Sequence, residues 1–181
     1  PAKSQQDITI FGSAIDEPKK NVTYQGLSYK KAFWQSRNAC FAKAYLAHLQ
    51  KQPAPPCLVE VHGRPQVAAL IAKSRPDLKV ILYLHNDPRT IKGSKSITQR
   101  QLLSQRLAGI ISITNYVKSC FLEGLGDESA YKAKHFVNLL GVERTHERPM
   151  KRQKQIFIAG RMMPEKGILE ACQGAVPLLK A

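Results

Sequence analysis

Short apolar runs of strand length recur along this chain: ITIFG (8–12), CLVEVH (57–62), KVILYLH (79–85), GIISIT (109–114), HFVNLL (135–140) and QIFIAG (155–160). Between most of them, apolar residues return every three or four positions, which predicts helices over about 28–50, 65–74, 96–108, 115–124 and 167–180. Strands alternating with helices are the signature of βαβ units, so the expected fold is α/β, with a Rossmann-like, doubly wound parallel sheet. The near-continuous apolar character of KVILYLH predicts a strand covered on both faces. In the helix 28–50, Phe33, Trp34, Phe41 and Tyr45 read as core residues among lysines and arginines.

The polar stretch GVERTHERPMKRQKQ has no periodicity and lies between two strand-like runs, which marks residues 141–154 as an interdomain linker. Residues 1–140 can complete one sheet domain. Residues 155–181 supply one strand and one helix, too little to bury their own faces, and so read as the truncated start of a second domain. The chain begins with Pro1 rather than Met, in keeping with a fragment or a trimmed product.

Composition narrows the class. In 181 residues, 43% hydrophobic, there is enough apolar material for a buried core. With 28 Lys and Arg against 13 Asp and Glu the net charge is +15, which attracts phosphates, nucleic acid or anionic lipid. Cys40, Cys57, Cys120 and Cys172 are far apart and sit among apolar neighbours, so buried reduced thiols and a cytoplasmic setting are expected. No run reaches the roughly 20 apolar residues of a membrane span.

Ligands of open parallel sheets bind outside the carboxyl ends of the strands, so the polar residues there are the candidates. His62 ends one strand and is followed by Gly63, Arg64 and Pro65, a tight turn into a helix whose free N–H groups, with Arg64, could face an anion. The alternative is a strand-end histidine satisfied by a turn carbonyl. His85 ends the next strand, where its ring can meet a sugar hydroxyl or a phosphate. Asn86 and Asp87 follow as candidate contacts or as turn formers before Pro88. Thr114 ends a third strand, with Asn115 expected as the N-cap. The segment 86–106 carries Arg89, Lys92, Lys95, Arg100 and Arg106, read as a solvated face or as a surface that rests on anionic lipid or holds an anionic acceptor. In GRMMPEKG, Gly160, Arg161 and Lys166 place two cations at a strand-to-helix turn, a combination suited to a diphosphate. Metal-ligand spacing, a phosphate-binding P-loop and a nucleophile elbow are all missing, so no metal is expected.

The order of LYLHNDP, GIISITNYVKSCFLEGLG, HFVNLLGVE and QIFIAGRMMPEKGILEACQGA resembles the retaining family 4 of glycosyltransferases, which have the GT-B architecture of two facing Rossmann-like domains. VEVHGRPQ resembles a stretch found in bacterial members that build lipopolysaccharide or other surface polysaccharides. The resemblance covers about residues 57–181. It implies a hexosyltransferase that uses a nucleotide-diphosphate sugar as donor substrate, no cofactor, and a saccharide or lipid-linked acceptor. It further implies an acceptor-binding domain over 1–140 and the opening of a donor-binding domain over 155–181. Arg161, Lys166 and Gly160 would hold the donor diphosphate and His85 would be the catalytic contact to the transferred sugar. His62, Arg64, Asn86 and Thr114 would serve the acceptor. The family's first strand with its glycine-rich loop and its later E-x7-E element are not in this sequence, which implies that residues 1–181 alone are inactive or nearly so. A cytoplasmic enzyme, peripheral at the inner face of the membrane, is the expected setting. The competing readings are a basic nucleic-acid-binding module, against which the lack of any recognition motif speaks, and a membrane-surface adaptor.

Overall fold

The computed structural model describes residues 8–13, 23–30, 33–52, 56, 58–139, 141, 160 and 163–179. The chain divides into two compact units, 1–141 and 142–181.

The first unit is α/β with parallel strands throughout. It opens with β1 (Thr9–Ser13) and β2 (Thr23–Leu27), paired in parallel as a separate two-stranded sheet. After α1 (Arg37–Leu49) come β3 (Val59–His62), α2 (Pro65–Ser74), β4 (Val80–Leu84), α3 (Ile97–Arg106), β5 (Gly109–Ser112), α4 (Asn115–Leu122) and β6 (Lys134–Val137). The four later strands form one parallel sheet in the order β3-β4-β5-β6. Rossmann-like α/β architecture is therefore present. The expected single sheet is not, because β1 and β2 pair only with each other among the described residues.

Strand order that follows chain order, with right-handed crossovers, brings the connecting helices to one side of the sheet. Burial agrees: Val59, Val61, Val80, Leu82, Leu84 and Ile110 are buried in one core with Val67 and Ile71 of α2, Leu103 of α3 and Phe121 of α4. The alternate residues form rows across the other face. One row runs Glu60, Ile81, Gly109, Lys134 and the next His62, Tyr83, Ile111, Phe136. Apart from the buried Gly109 these residues are exposed or half-buried, so among the described residues β4 is covered on one face and not on two.

Local chemistry explains the helix starts. Pro65 stands at the first position of α2, where its missing N–H costs nothing. Ser96 and Gln99 form a reciprocal capping box at α3. The N-cap of α4 is Thr114, whose hydroxyl accepts from Val117 N–H, in place of the expected Asn115. The long helix expected from residue 28 begins only at Arg37, after Ser36 caps it, and TYQGL before it is strand β2. Phe41 and Tyr45 are core residues, but Phe33 and Trp34 stand in the turn before α1 and are 98% and 83% exposed. Cys40 and Cys120 are buried free thiols, whereas Cys172 is exposed; Cys57 lies outside the described residues.

Arg100 departs furthest from expectation. Instead of extending the basic surface it is 3% exposed. Its guanidinium donates to the carbonyls of Phe121 and Glu123 at the end of α4, and to those of Ser94 and Lys95 ahead of α3, at 2.7 to 3.2 Å. A cation suits the carbonyl end of a helix, and the rigid fork reaches several acceptors that one ammonium could not. Arg106, in the last turn of the same helix, is exposed.

The contrast between these two arginines is testable by chemical denaturation. Arg100→Leu leaves buried carbonyls without donors and should cost roughly 3 kcal/mol or more, while Arg106→Leu should stay within about 0.5 kcal/mol of wild type.

Candidate functional site

The carboxyl ends of β3 and β4 lie side by side because the parallel register sets His62 opposite Tyr83. Gly63, with φ of 63°, then turns the chain out of the strand, a conformation that glycine adopts without strain. His85 follows β4 directly and projects on the same side as Tyr83, two residues earlier. His62 and His85 are thus brought into contact, with Nδ1 of His62 3.1 Å from Nε2 of His85. The His62 ring stacks on Tyr83 at 4.6 Å between centroids, and its centroid lies 5.4 Å from that of His85 with the ring planes 22° apart. Glu60, next on the same face of β3, places Oε2 3.5 Å from Nε2 of His62.

Burial, and next the charge on His62, lower the His85 pKa below its ordinary value. A neutral ring there can exchange hydrogen bonds with hydroxyl groups at physiological pH. Two candidates expected from the sequence are therefore joined in one cluster, and Glu60 and Tyr83 belong to it as well. Period-two alternation in VEVH and VILYL could have placed Glu60 and Tyr83 on the histidines' face, but only the register reveals the contact.

The other candidates are held differently. Asn86 is exposed directly after His85. Arg64 occupies the N-cap position of α2 without capping it, and its guanidinium carbon lies 5.2 Å from the centre of the Phe41 ring. The start of α2 does not stand open for an anion, because the loop after β4 packs on it. A Cβ at residue 93 would fall 2.5 Å from Gln66 N, and Gly93 has φ of 98°, so only glycine fits. Thr114 spends its hydroxyl on the cap of α4. Asp87 caps the 3-10 turn Pro88–Thr90 and is ion-paired with Arg89, which also binds Glu123. The hydrogen bonds from Arg89 hold the Asp87 carboxyl below its usual range. The depression lined by Arg89, Tyr116, Ser119, Cys120 and Glu123 consequently offers no uncommitted arginine to a ligand.

In the second unit, Pro164–Lys166 form a 3-10 turn. Gly167 closes it in the left-handed region with φ of 61°, and its carbonyl accepts from Ala171 N–H at the start of α5 (Ile168–Leu179), so it ends the turn and opens the helix. Gly160 and Lys166 are exposed. Arg161 and the expected strand residues 155–159 lie outside the described residues, as does most of the 141–154 linker. No group of three or more potential ligands suited to a metal occurs among the described residues.

Lowered proton affinity at His85 has a thermodynamic consequence. Between its native pKa and the ordinary value of 6.5 the unfolded chain binds more protons than the native one. That contribution to stability is complete above pH 6.5 and is lost as pH falls through the native pKa. Thermal melting across this range should show an acid decline that His85→Asn reduces.

Comparison of this chain with protein-family models and with curated proteins gave no match.

Proposed function

We propose that this chain supplies the acceptor-binding domain, and the opening of the donor-binding domain, of a retaining glycosyltransferase. It moves a hexosyl unit from a nucleotide-diphosphate sugar to a saccharide or lipid-linked acceptor in lipopolysaccharide or surface-polysaccharide synthesis. The observation that carries this reading is the contact of His62 with His85 at the carboxyl ends of adjacent parallel strands, where α/β sheets receive their ligands. In this reading His85 meets the transferred sugar, and His62 and Asn86 line the acceptor side. Arg64 and Thr114 contribute through backbone and shape, since one lies over Phe41 and the other caps α4. Gly160, Arg161 and Lys166 hold the donor diphosphate, and the two cations steady the nucleotide as it leaves, without a metal ion.

The exposed turn Phe33–Trp34 favours work at a membrane surface. Ser36, two residues on from Trp34, has Oγ 3.3 Å from Oε1 of Gln66, and Gln66 in turn packs against Gly93. The aromatic turn therefore neighbours the loop that carries the exposed Lys92 and Lys95. Aromatic rings beside lysines suit the headgroup layer of an anionic bilayer, on whose cytoplasmic face we place the protein.

Two measurements test these assignments. In the parent protein that carries this sequence, Arg161→Ala or Lys166→Ala should each lower sugar transfer from the nucleotide sugar by roughly 100-fold, and wild-type turnover would refute the diphosphate assignment. Trp34 is the single tryptophan of the chain, so its fluorescence reports the surface directly. Anionic vesicles should shift its emission to the blue, an effect abolished by high salt and absent with neutral vesicles. Tight, steeply salt-dependent binding to nucleic acid instead would favour the competing module.

A further inference from the structure

Nδ1 of His62 and Nε2 of His85 face each other at 3.1 Å although they are 23 residues apart. At that distance one ring donates and the other accepts, so the two nitrogens hold a single proton between them. Glu60 decides which ring owns it. Its carboxylate, 3.5 Å from Nε2 of His62, favours an N–H turned toward it over a lone pair. With Nε2 protonated and the ring neutral, Nδ1 of His62 must accept. The shared proton then belongs to Nε2 of His85, and Nδ1 of His85, the nitrogen left for a ligand, carries a lone pair.

We propose that Glu60, His62 and His85 form a one-proton switch that sets whether Nδ1 of His85 accepts a hydrogen bond from a sugar hydroxyl or donates one. The sugar as ligand rests on the glycosyltransferase reading above; the switch itself rests on the geometry. A proton arriving at Nδ1 of His85 makes that ring cationic. The Nε2 proton can then cross to Nδ1 of His62, leaving His62 charged beside Glu60 and His85 neutral with an N–H at Nδ1. One proton enters, one is moved, and only N–H bonds change. Burial and the charge on His62 both disfavour a cation at His85. The carboxylate of Glu60 favours it at His62, so the charge rests there. Tyr83 contributes a ring stacked on His62, and Gly63 leaves room beside Cδ2 of His85. Glu60 and His62 are positioning residues, and His85 is the group that touches the sugar.

Proton–nitrogen correlation NMR on the histidine-labelled chain reads each tautomer without any ligand. At about pH 8, above the ordinary histidine range, His85 should carry its proton on Nε2, and Glu60→Gln should shift it toward Nδ1. On acidification His62 should become protonated on both nitrogens while His85 changes to the Nδ1–H form. Side chains 60 and 62 are 46% and 52% exposed, so Glu60→Gln and His62→Phe should leave the fold intact. An Nδ1–H tautomer of His85 at about pH 8, or a His85 signal indifferent to both substitutions, overturns the switch. Nucleotide-sugar binding by the parent protein, followed against pH, separates the two levels. Binding with the same pH profile in wild type and Glu60→Gln refutes the switch's role and leaves the glycosyltransferase reading standing. A confirmed switch with no nucleotide-sugar binding at any pH overturns that reading and the sugar as ligand, and leaves the switch.

Discussion

A guanidinium without a carboxylate holds the carboxyl edge of this sheet in place. Arg100 is buried, and its hydrogen bonds go to four backbone carbonyls. Stranding such a charge away from water would be costly, so its partners are fixed in place as firmly as it is. Two partners end α4, where the helix dipole already concentrates negative charge. The other two belong to Ser94 and Lys95, in the loop that leaves the sheet after His85. Ser94 adds bonds from its own hydroxyl to the carbonyls of Pro88 and Ile91. That loop reaches across to α2, where Gly93 meets Gln66, and Gln66 meets Ser36 at the start of α1. A line of contacts thus runs from a buried cation along the sheet's carboxyl edge to the exposed aromatic turn.

The open face of the β3–β6 sheet has the same origin in topology. Strands laid down in chain order send their helices to one side, and the other side keeps a row of His62, Tyr83, Ile111 and Phe136. Stacking of His62 on Tyr83 is possible only because no helix covers that row among the described residues. The arrangement leaves His62 exposed and His85 half-buried, with their ring planes 22° apart and the His62 ring stacked on Tyr83.

Much of this was legible in the sequence, and the failures have distinct causes. α2 matches its expected bounds because Pro65 fixes its start and an apolar face runs unbroken to Ser74. The strand cores at 59–62, 80–84 and 109–112 were marked by β-branched and apolar runs. β2 was missed because TYQGL has neither alternation nor a full apolar run; it is a strand by virtue of pairing with β1. Phe33 and Trp34 continue the helical spacing of Phe41 and Tyr45, but the cap at Ser36 starts the helix after them, so periodicity misplaced them in the core. Arg100 read as surface because charge is a property of the sequence and burial is not. His62 and His85 were each visible as strand ends; their contact depends on a register that no local pattern encodes.

In the proposed switch the paired histidines would couple charge to binding in a way that single residues would not. Burial, and next the charge on His62, depress His85, and the net charge of +15 on the chain adds to the cost of a further proton there. By linkage, an anion that binds more tightly to the charged pair must raise the pair's proton affinity by the same factor. Proton uptake would leave the charge on His62, and the outward nitrogen of His85 would then donate instead of accept. An anionic oxygen would be met only by the donating state, whereas a sugar hydroxyl, which both donates and accepts, could meet either. In the proposed switch the balance between the two states would be set by Glu60, which faces His62.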